Sequence, residues 1–419
     1  YEKSIKESTE ENDALDKSSS AVANFVFPGL DSGRKSIIGF YGVNGLNEFI
    51  NQMKNHSEKI NNLVAKDIIK SDKYTDLVTL NYTGKNISGN ILLKENLKYF
   101  STKFYEAINV IFENLFDTNR FKKPRTGFVY CNQVVVGIDI FEEVLIRNGF
   151  LKFDENKNNY SIKNNTRCYY CSKPFENHVH DKTHSFSPAT FLVITGGSNE
   201  ESIDNASENN KRIISTVFNN DANIEGKNIK LILGSKVMNE GISLFNVYTV
   251  QILDVYYNFG RVDQVIGRAI RWCSHFNLMT KENPYPEVLV YKYSVSFKDE
   301  KNGLTSEEIL YQKAEKKYLI IKKVEKCLRE NAIDCPLNYQ ANVFKEEVIN
   351  NKKCLYPDEK MSKIEMKNTD NICPAICDFN NCFYKCSDEL LNSKYYDPNR
   401  LMYKKIIKQV FFIRRISIF

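Results

Sequence analysis

Two groups of side chains in this sequence have types and spacings that can do chemistry. The first is Gln264-x-x-Gly267-Arg268-x-x-Arg271. On a helix, positions 264, 268 and 271 share one face, so a carboxamide and two guanidinium groups point the same way while Gly267 permits close backbone approach. A guanidinium stays charged and presents a donor fork matched to phosphate oxygens. Taken alone, the motif reads first as a surface helix with solvated arginines. Just upstream, however, Leu231-Ile232-Leu233 runs into Gly234-Ser235-Lys236 and then Glu240-Gly241-Ile242. That is a strand emptying into a turn whose amides and hydroxyls are placed to touch a phosphate or a bound strand. The second group is Cys168-x-x-Cys171 followed by His178, His180 and His184. Two thiolates and two imidazoles complete a tetrahedral zinc site, and Cys168, Cys171, His178 and His184 are the preferred set, with His180 spare. The competing reading is a polar loop with reduced cysteines.

Stepping outward from these residues, the chain alternates short apolar runs with helical stretches. Strands are expected at residues 127–130, 191–194, 229–233, 248–253 and 287–293, and helices at 138–148, 208–219 and 262–272. Continuous Val/Ile/Leu runs separated by helices are what parallel strands covered on both faces require. The expected fold is therefore α/β, a doubly wound parallel sheet between about 95 and 295, with the Cys/His group in an insertion at about 160–188. Leu97, Phe100, Phe104, Ile108 and Ile111 predict one amphipathic helix over 94–113. Residues 1–20 read as a flexible acidic tail, and 21–94 offer no complete core of their own. Residues 296–419 read as a mainly helical, Cys-rich C-terminal domain, beginning with a Lys/Glu-rich helix at 306–329. There, Cys373, Cys377, Cys382 and Cys386, with Cys354, Cys335 and Cys327 upstream, are expected as buried unpaired thiols, a second metal being the alternative.

At 419 residues with 42% hydrophobic and 26% charged side chains, the chain is long enough for two or three domains and is not a disordered or collagen-like one. No apolar run reaches the roughly 18 residues of a membrane span, so no membrane partner is expected. The chain starts at Tyr1 rather than Met, which leads to the expectation that it is a piece of something longer. The 11 cysteines are odd in number, so they cannot all pair within the chain, and a reducing compartment is expected.

The order Phe128-Val129-Tyr130, Gly234-Ser235-Lys236 with Glu240-Gly241, and Gln264 to Arg271 resembles motifs IV, V and VI of superfamily 2 helicases, which lie in the second RecA-like lobe. Asn24-Phe25-Val26-Phe27-Pro28, Gly267 to Arg271 running on to Ser274-His275, and Ala332-Ile333-Asp334-Cys335 with Asn338 and Asn342 narrow it. They resemble the poxvirus-type helicases of nucleocytoplasmic large DNA viruses, a group that includes the early transcription factor small subunit and viral nucleoside triphosphate phosphohydrolases. The resemblance implies ATP with Mg²⁺ bound in a cleft shared with a first lobe, Arg271 as the arginine finger, and Arg268 and Gln264 coupling nucleotide state to lobe closure. It assigns Gly234, Ser235, Lys236, Glu240, Gly241 and Gly267 to nucleotide and DNA coupling. It also implies DNA, a viral RNA polymerase or a second transcription-factor subunit as partners, and a place in the virion and host cytoplasm. The pattern departs from the family in one respect: there is no GxxxxGK[ST] and no DExx box, and Thr83-Gly84-Lys85-Asn86 has the wrong spacing. The expectation is that the phosphate-loop lobe lies outside these residues and that they hydrolyse no ATP alone. The rival reading is a catalytically inactive, zinc-containing DNA-binding or scaffold subunit.

Overall fold

A computed structural model describes residues 22–70, 76–116, 123–178, 184–196, 208–239, 241–271, 273–281, 283, 286–297, 303–336, 338 and 384–387. It contains two compact units. The first comprises Tyr1–Tyr256, Arg261–Leu278 and Val288–Tyr311, and the second Tyr257–Gly260, Met279–Glu287 and Gln312–Phe419.

The first unit is built on a six-stranded sheet, β5 Thr126–Tyr130, β6 Leu151–Lys152, β7 Thr190–Ile194, β8 Leu231–Gly234, β9 Val247–Ile252 and β10 Leu289–Lys292. Its order is β10-β9-β5-β8-β7-β6, and every ladder is parallel. β8 is buried along its whole length, as are β5 and β9, which accounts for the unbroken apolar runs. The chain lays down β6, β7 and β8 on one side of β5 and then crosses to β9 and β10 on the other. That reversal is a topological switch point at the carboxyl ends of the strands, the place where α/β sheets commonly take ligands.

Helices α1 Gly42–Leu63, α2 Lys94–Leu97, α3 Thr102–Asn114, α4 Asp139–Arg147, α5 Phe175–His178, α6 Glu208–Ile213, α7 Phe259–Ala269 and α8 Ser306–Asn331 complete the described scaffold. Two small hairpins precede the sheet, β1 Phe27–Leu30 with β2 Ile37–Phe40, and β3 Thr79–Leu80 with β4 Ile87–Ser88. Residues 25–92 share one core with the sheet: Phe25, Phe27 and Phe49 are fully buried, and Phe104 meets Phe141 edge-on at 5.3 Å. Burial of each such ring contributes about 1.5–3 kcal/mol.

One expected helix is two. The apolar period of residues 94–113 carries through, but Ser101 is extended (φ −157°, ψ 103°) and its hydroxyl accepts from Phe104 N, so it starts α3 afresh. The start of α8 is a capping box: Thr305 Oγ1 accepts from Glu308 N at 3.2 Å and Thr305 N donates to Glu308 Oε2 at 2.8 Å.

Lys230, at the entry to β8, is fully buried. Its ammonium donates to the carbonyls of Leu115, Arg125 and Glu225, at 3.1, 3.1 and 2.6 Å, and lies over the rings of Phe116 and Tyr169. Burial pushes its pKa well below the ordinary lysine value.

In the second unit, Cys335 and Cys386 form a disulfide. This corrects the expectation of unpaired thiols for these two: both are buried beside Tyr384, whose hydroxyl donates to Arg329 O at 2.9 Å, and that packing brings them together. Cys327 is unpaired but exposed on α8, not buried as expected, and Cys354, Cys373, Cys377 and Cys382 lie outside the described residues, as do the acidic tail, Glu240 and His180.

Candidate functional site

α7 carries the sequence's strongest motif. Val262, Val265 and Ala269 are buried and hold the helix on the lobe, which leaves Gln264 exposed and Arg268 half-buried; the helix ends at Ala269 rather than at 272 as expected, so exposed Arg271 follows it instead of sharing its face. The two arginines grip the loop that leads into β9. Arg268 Nη1 donates to Ile242 O at 3.5 Å, and its own carbonyl accepts from Leu244 N at 2.8 Å. Arg271 Nη1 donates to Ser243 Oγ at 2.6 Å and its Nε to Gly267 O at 2.8 Å. A side chain at Gly267 would meet nothing within 4 Å, so this part of the helix faces open space. Gly241 has φ +68°, the left-handed conformation that glycine adopts freely, and its neighbourhood is also open.

Ser274 and His275 anchor the end of this helix to the start of β9. Ser274 Oγ accepts from Arg271 N, Ser274 O accepts from Asn246 N, and His275 Nε2 lies 2.8 Å from Val247 O. Burial holds the His275 pKa below the ordinary imidazole value, so the ring is neutral and donates to that carbonyl.

The residues after β8 divide. Gly234 and Ser235 are buried: Gly234 O accepts from Cys131 N, and Ser235 N donates to Ile194 O. A Cβ on Gly234 would stand 2.5 Å from Met238 Cγ and 2.9 Å from Phe128, so the glycine is a packing requirement. Lys236 is exposed in the short 3-10 turn Lys236–Asn239.

Sequence reasoning missed a buried polar network at the carboxyl ends of β5 and β9. Lys103 Nζ pairs with Glu307 Oε1 at 2.8 Å and donates to Asn24 Oδ1 at 3.2 Å. Asn24 Nδ2 reaches Gln133 Oε1 at 3.4 Å and Cys131 Sγ at 4.0 Å, and Asp254 accepts from Asn132 N. Burial raises the Asp254 carboxyl above its ordinary value, partly offset by that amide. The one available signal was an aspartate closing an apolar strand at residues 247–254; its partners come from far along the chain.

The four preferred Cys/His residues do converge. The donor atoms of Cys168, Cys171, His178 and His184 all lie within 4.8 Å of one another. Cys168 and His178 are buried, and the other two are partly so.

Comparison with known proteins places these features in a family. No protein-family model matches the chain. A protein of Acanthamoeba polyphaga mimivirus named as an ATP-dependent RNA helicase is 47% identical over 409 residues, 95% of this chain and 34% of that protein. A helicase of Invertebrate iridescent virus 3 is 34% identical over 43% of this chain and 16% of its own length. An African swine fever virus protein named early transcription factor large subunit homolog is 30% identical over 49% and 16%. The chain thus spans about a third of the mimivirus protein and less of the others. The crystal structure of the C-terminal part of the Fun30 ATPase domain is similar at 18% identity and a TM-score of 0.28, covering 50% of this chain and 45% of that one. On these sequence relatives, this chain belongs to the helicases of the nucleocytoplasmic large DNA viruses.

Proposed function

We propose that this chain is the second motor lobe and C-terminal region of a viral DNA-dependent ATPase that couples ATP hydrolysis to DNA remodelling in early viral transcription. On this reading it works in the virion and host cytoplasm, beside a viral RNA polymerase or a second transcription-factor subunit. The observation that supports it is the grouping of Gln264 and Arg268 on α7 with Arg271 just past its end, next to the open backbone at Gly241 and Gly267. At rest the Arg271 fork is held by two neutral oxygens, of Ser243 and Gly267. A phosphate oxygen is a stronger acceptor, because its negative charge adds Coulomb attraction to the guanidinium and its paired oxygens match the fork. A guanidinium that meets the γ-phosphate only when lobes close stabilises charge as it develops and ties hydrolysis to closure. ATP with Mg²⁺ would rest chiefly on a phosphate-loop lobe, and no GxxxxGK[ST] occurs in these residues. Arg268 and Gln264 would report its presence to the loop at 241–244.

The test is Arg271→Ala in the full-length protein. DNA-stimulated ATP turnover should fall on the order of 10³-fold while nucleotide binding persists. Arg271→Lys should not restore it, because an ammonium lacks the planar fork. Unchanged turnover overturns the finger assignment, and stimulation by RNA alone overturns the DNA assignment. The 419-residue chain by itself should turn over no ATP. The missing phosphate-loop motif favours one second reading, an inactive DNA-binding or scaffold subunit. Full-length protein that binds DNA without ATP turnover would establish it.

A further inference from the structure

We infer that Cys168, Cys171, His178 and His184 bind one Zn²⁺ in a closed structural site that fixes the segment between β6 and β7 to the sheet. This inference is independent of the motor reading. It begins with the backbone. Ser172, directly after Cys171, has φ +64°, and this left-handed residue turns the chain back so that Ser172 N donates to Cys168 O and Cys168 N to Lys173 O, both at 3.0 Å. The turn holds both cysteines on one side. α5 then delivers His178, and His184 enters from the strand-ward side.

The donor geometry calls for a cation. His184 Nε2 lies 3.3 Å from Cys168 Sγ and 3.0 Å from His178 Nε2. A ring nitrogen has one in-plane site, either a proton or a lone pair, so it cannot serve two such neighbours as a hydrogen bond. A metal at the common centre serves all the donors at once. Tetrahedral zinc, with bonds of about 2.0–2.3 Å, places its ligand atoms roughly 3.3–3.8 Å apart, and the set here is gathered within 4.8 Å. Four protein ligands leave no open position, so the site is not catalytic. Rings wall the centre, with Tyr170 4.5 Å from the His184 ring and Phe186 5.3 Å from the His178 ring.

The consequence for the fold runs through the neighbours of Cys168. It bridges to Pro188, Arg167 O accepts from Ala189 N at 2.7 Å, and Ala189 O accepts from Leu151 N, so the ligand turn is bonded to the residues that lead into β7 and through them to the first residue of β6. Tyr169, the residue after Cys168, covers the buried ammonium of Lys230 at the entry to β8. Zinc therefore sets the edge of the sheet at three strands.

Metal analysis of the purified 419-residue chain tests this. The expected content is close to one zinc per chain, and replacement by Co²⁺ should give the visible absorption of a tetrahedral site with a thiolate charge-transfer band. Cys168→Ser and His184→Ala should lose most of the zinc. His184→Cys, which keeps four ligands, should retain it, and this variant separates ligand loss from misfolding. Folded wild-type chain that carries no zinc and gives no Co²⁺ spectrum overturns the site. So does a His184→Ala variant that keeps its full zinc content.

Discussion

Asp139 shows how single side chains set the pH behaviour of the lobe. Its carboxyl, half-buried at the start of α4, is raised to about 6 by burial and by Glu142 nearby, with Lys152 opposing. Because the folded pKa lies above the unfolded value of about 3.9, the folded state binds the extra proton, and that stability is lost as pH rises through about 6. Asp139→Asn should therefore leave stability unchanged near pH 4 and raise it above pH 7. The gain, discounted for partial solvent exposure, is about 1–2 kcal/mol. Denaturant melts at the two pH values check it, and an equal effect at both sinks the argument. Gln264 and Arg268 on α7 and the Cys/His set were legible in the sequence, because helical period and Cys-x-x-Cys spacing are local geometry. Lys103, Asp254 and Glu307 were not. Lys103 and Glu307 are buried as an ion pair between positions 204 apart, and no local pattern encodes that pairing.

At the level of elements, long apolar runs gave away the central strands β5, β8 and β9, and the same burial that makes them apolar makes them easy to find. Two-residue β6 offers no run at all. α1 buries Leu46, Phe49, Met53 and Ile60 along one side, but it is interrupted at His56, whose φ of −139° is not helical. The break before α3 was hidden for a different reason: buried Leu97, Phe100 and Phe104 serve one core on both sides of it, so the apolar rhythm never stops. Ser101 is what separates the two helices. Its hydroxyl accepts from Phe104 N and also donates to Asn24 O. Ser101→Ala removes the cap and leaves that buried carbonyl short of a donor, which should cost about 1–3 kcal/mol. Thermal denaturation measures it, and a loss below about 0.5 kcal/mol would mean that solvent replaces both bonds.

For the molecule as a whole, two units and a family assignment emerge from a chain that spans 34% of its mimivirus relative. The disulfide of the second unit, at a sequence separation of 51, was out of reach of spacing arguments because it depends on which cysteines meet around Tyr384. The first unit offers its own gauge of integrity in Lys230. An amine whose three protons are all taken by carbonyls, roofed by two rings, cannot be reached by an acylating reagent while the sheet is closed. Its labelling rate, read by mass spectrometry against that of exposed lysines, should then follow the opening of the sheet rather than reagent chemistry. Zinc chelation should quicken labelling at this one position well ahead of global unfolding. Labelling of Lys230 at the pace of surface lysines in folded protein would rule this out. A buried cation that ordinarily serves only to hold three chain segments together thus becomes a clock for the breathing of the lobe.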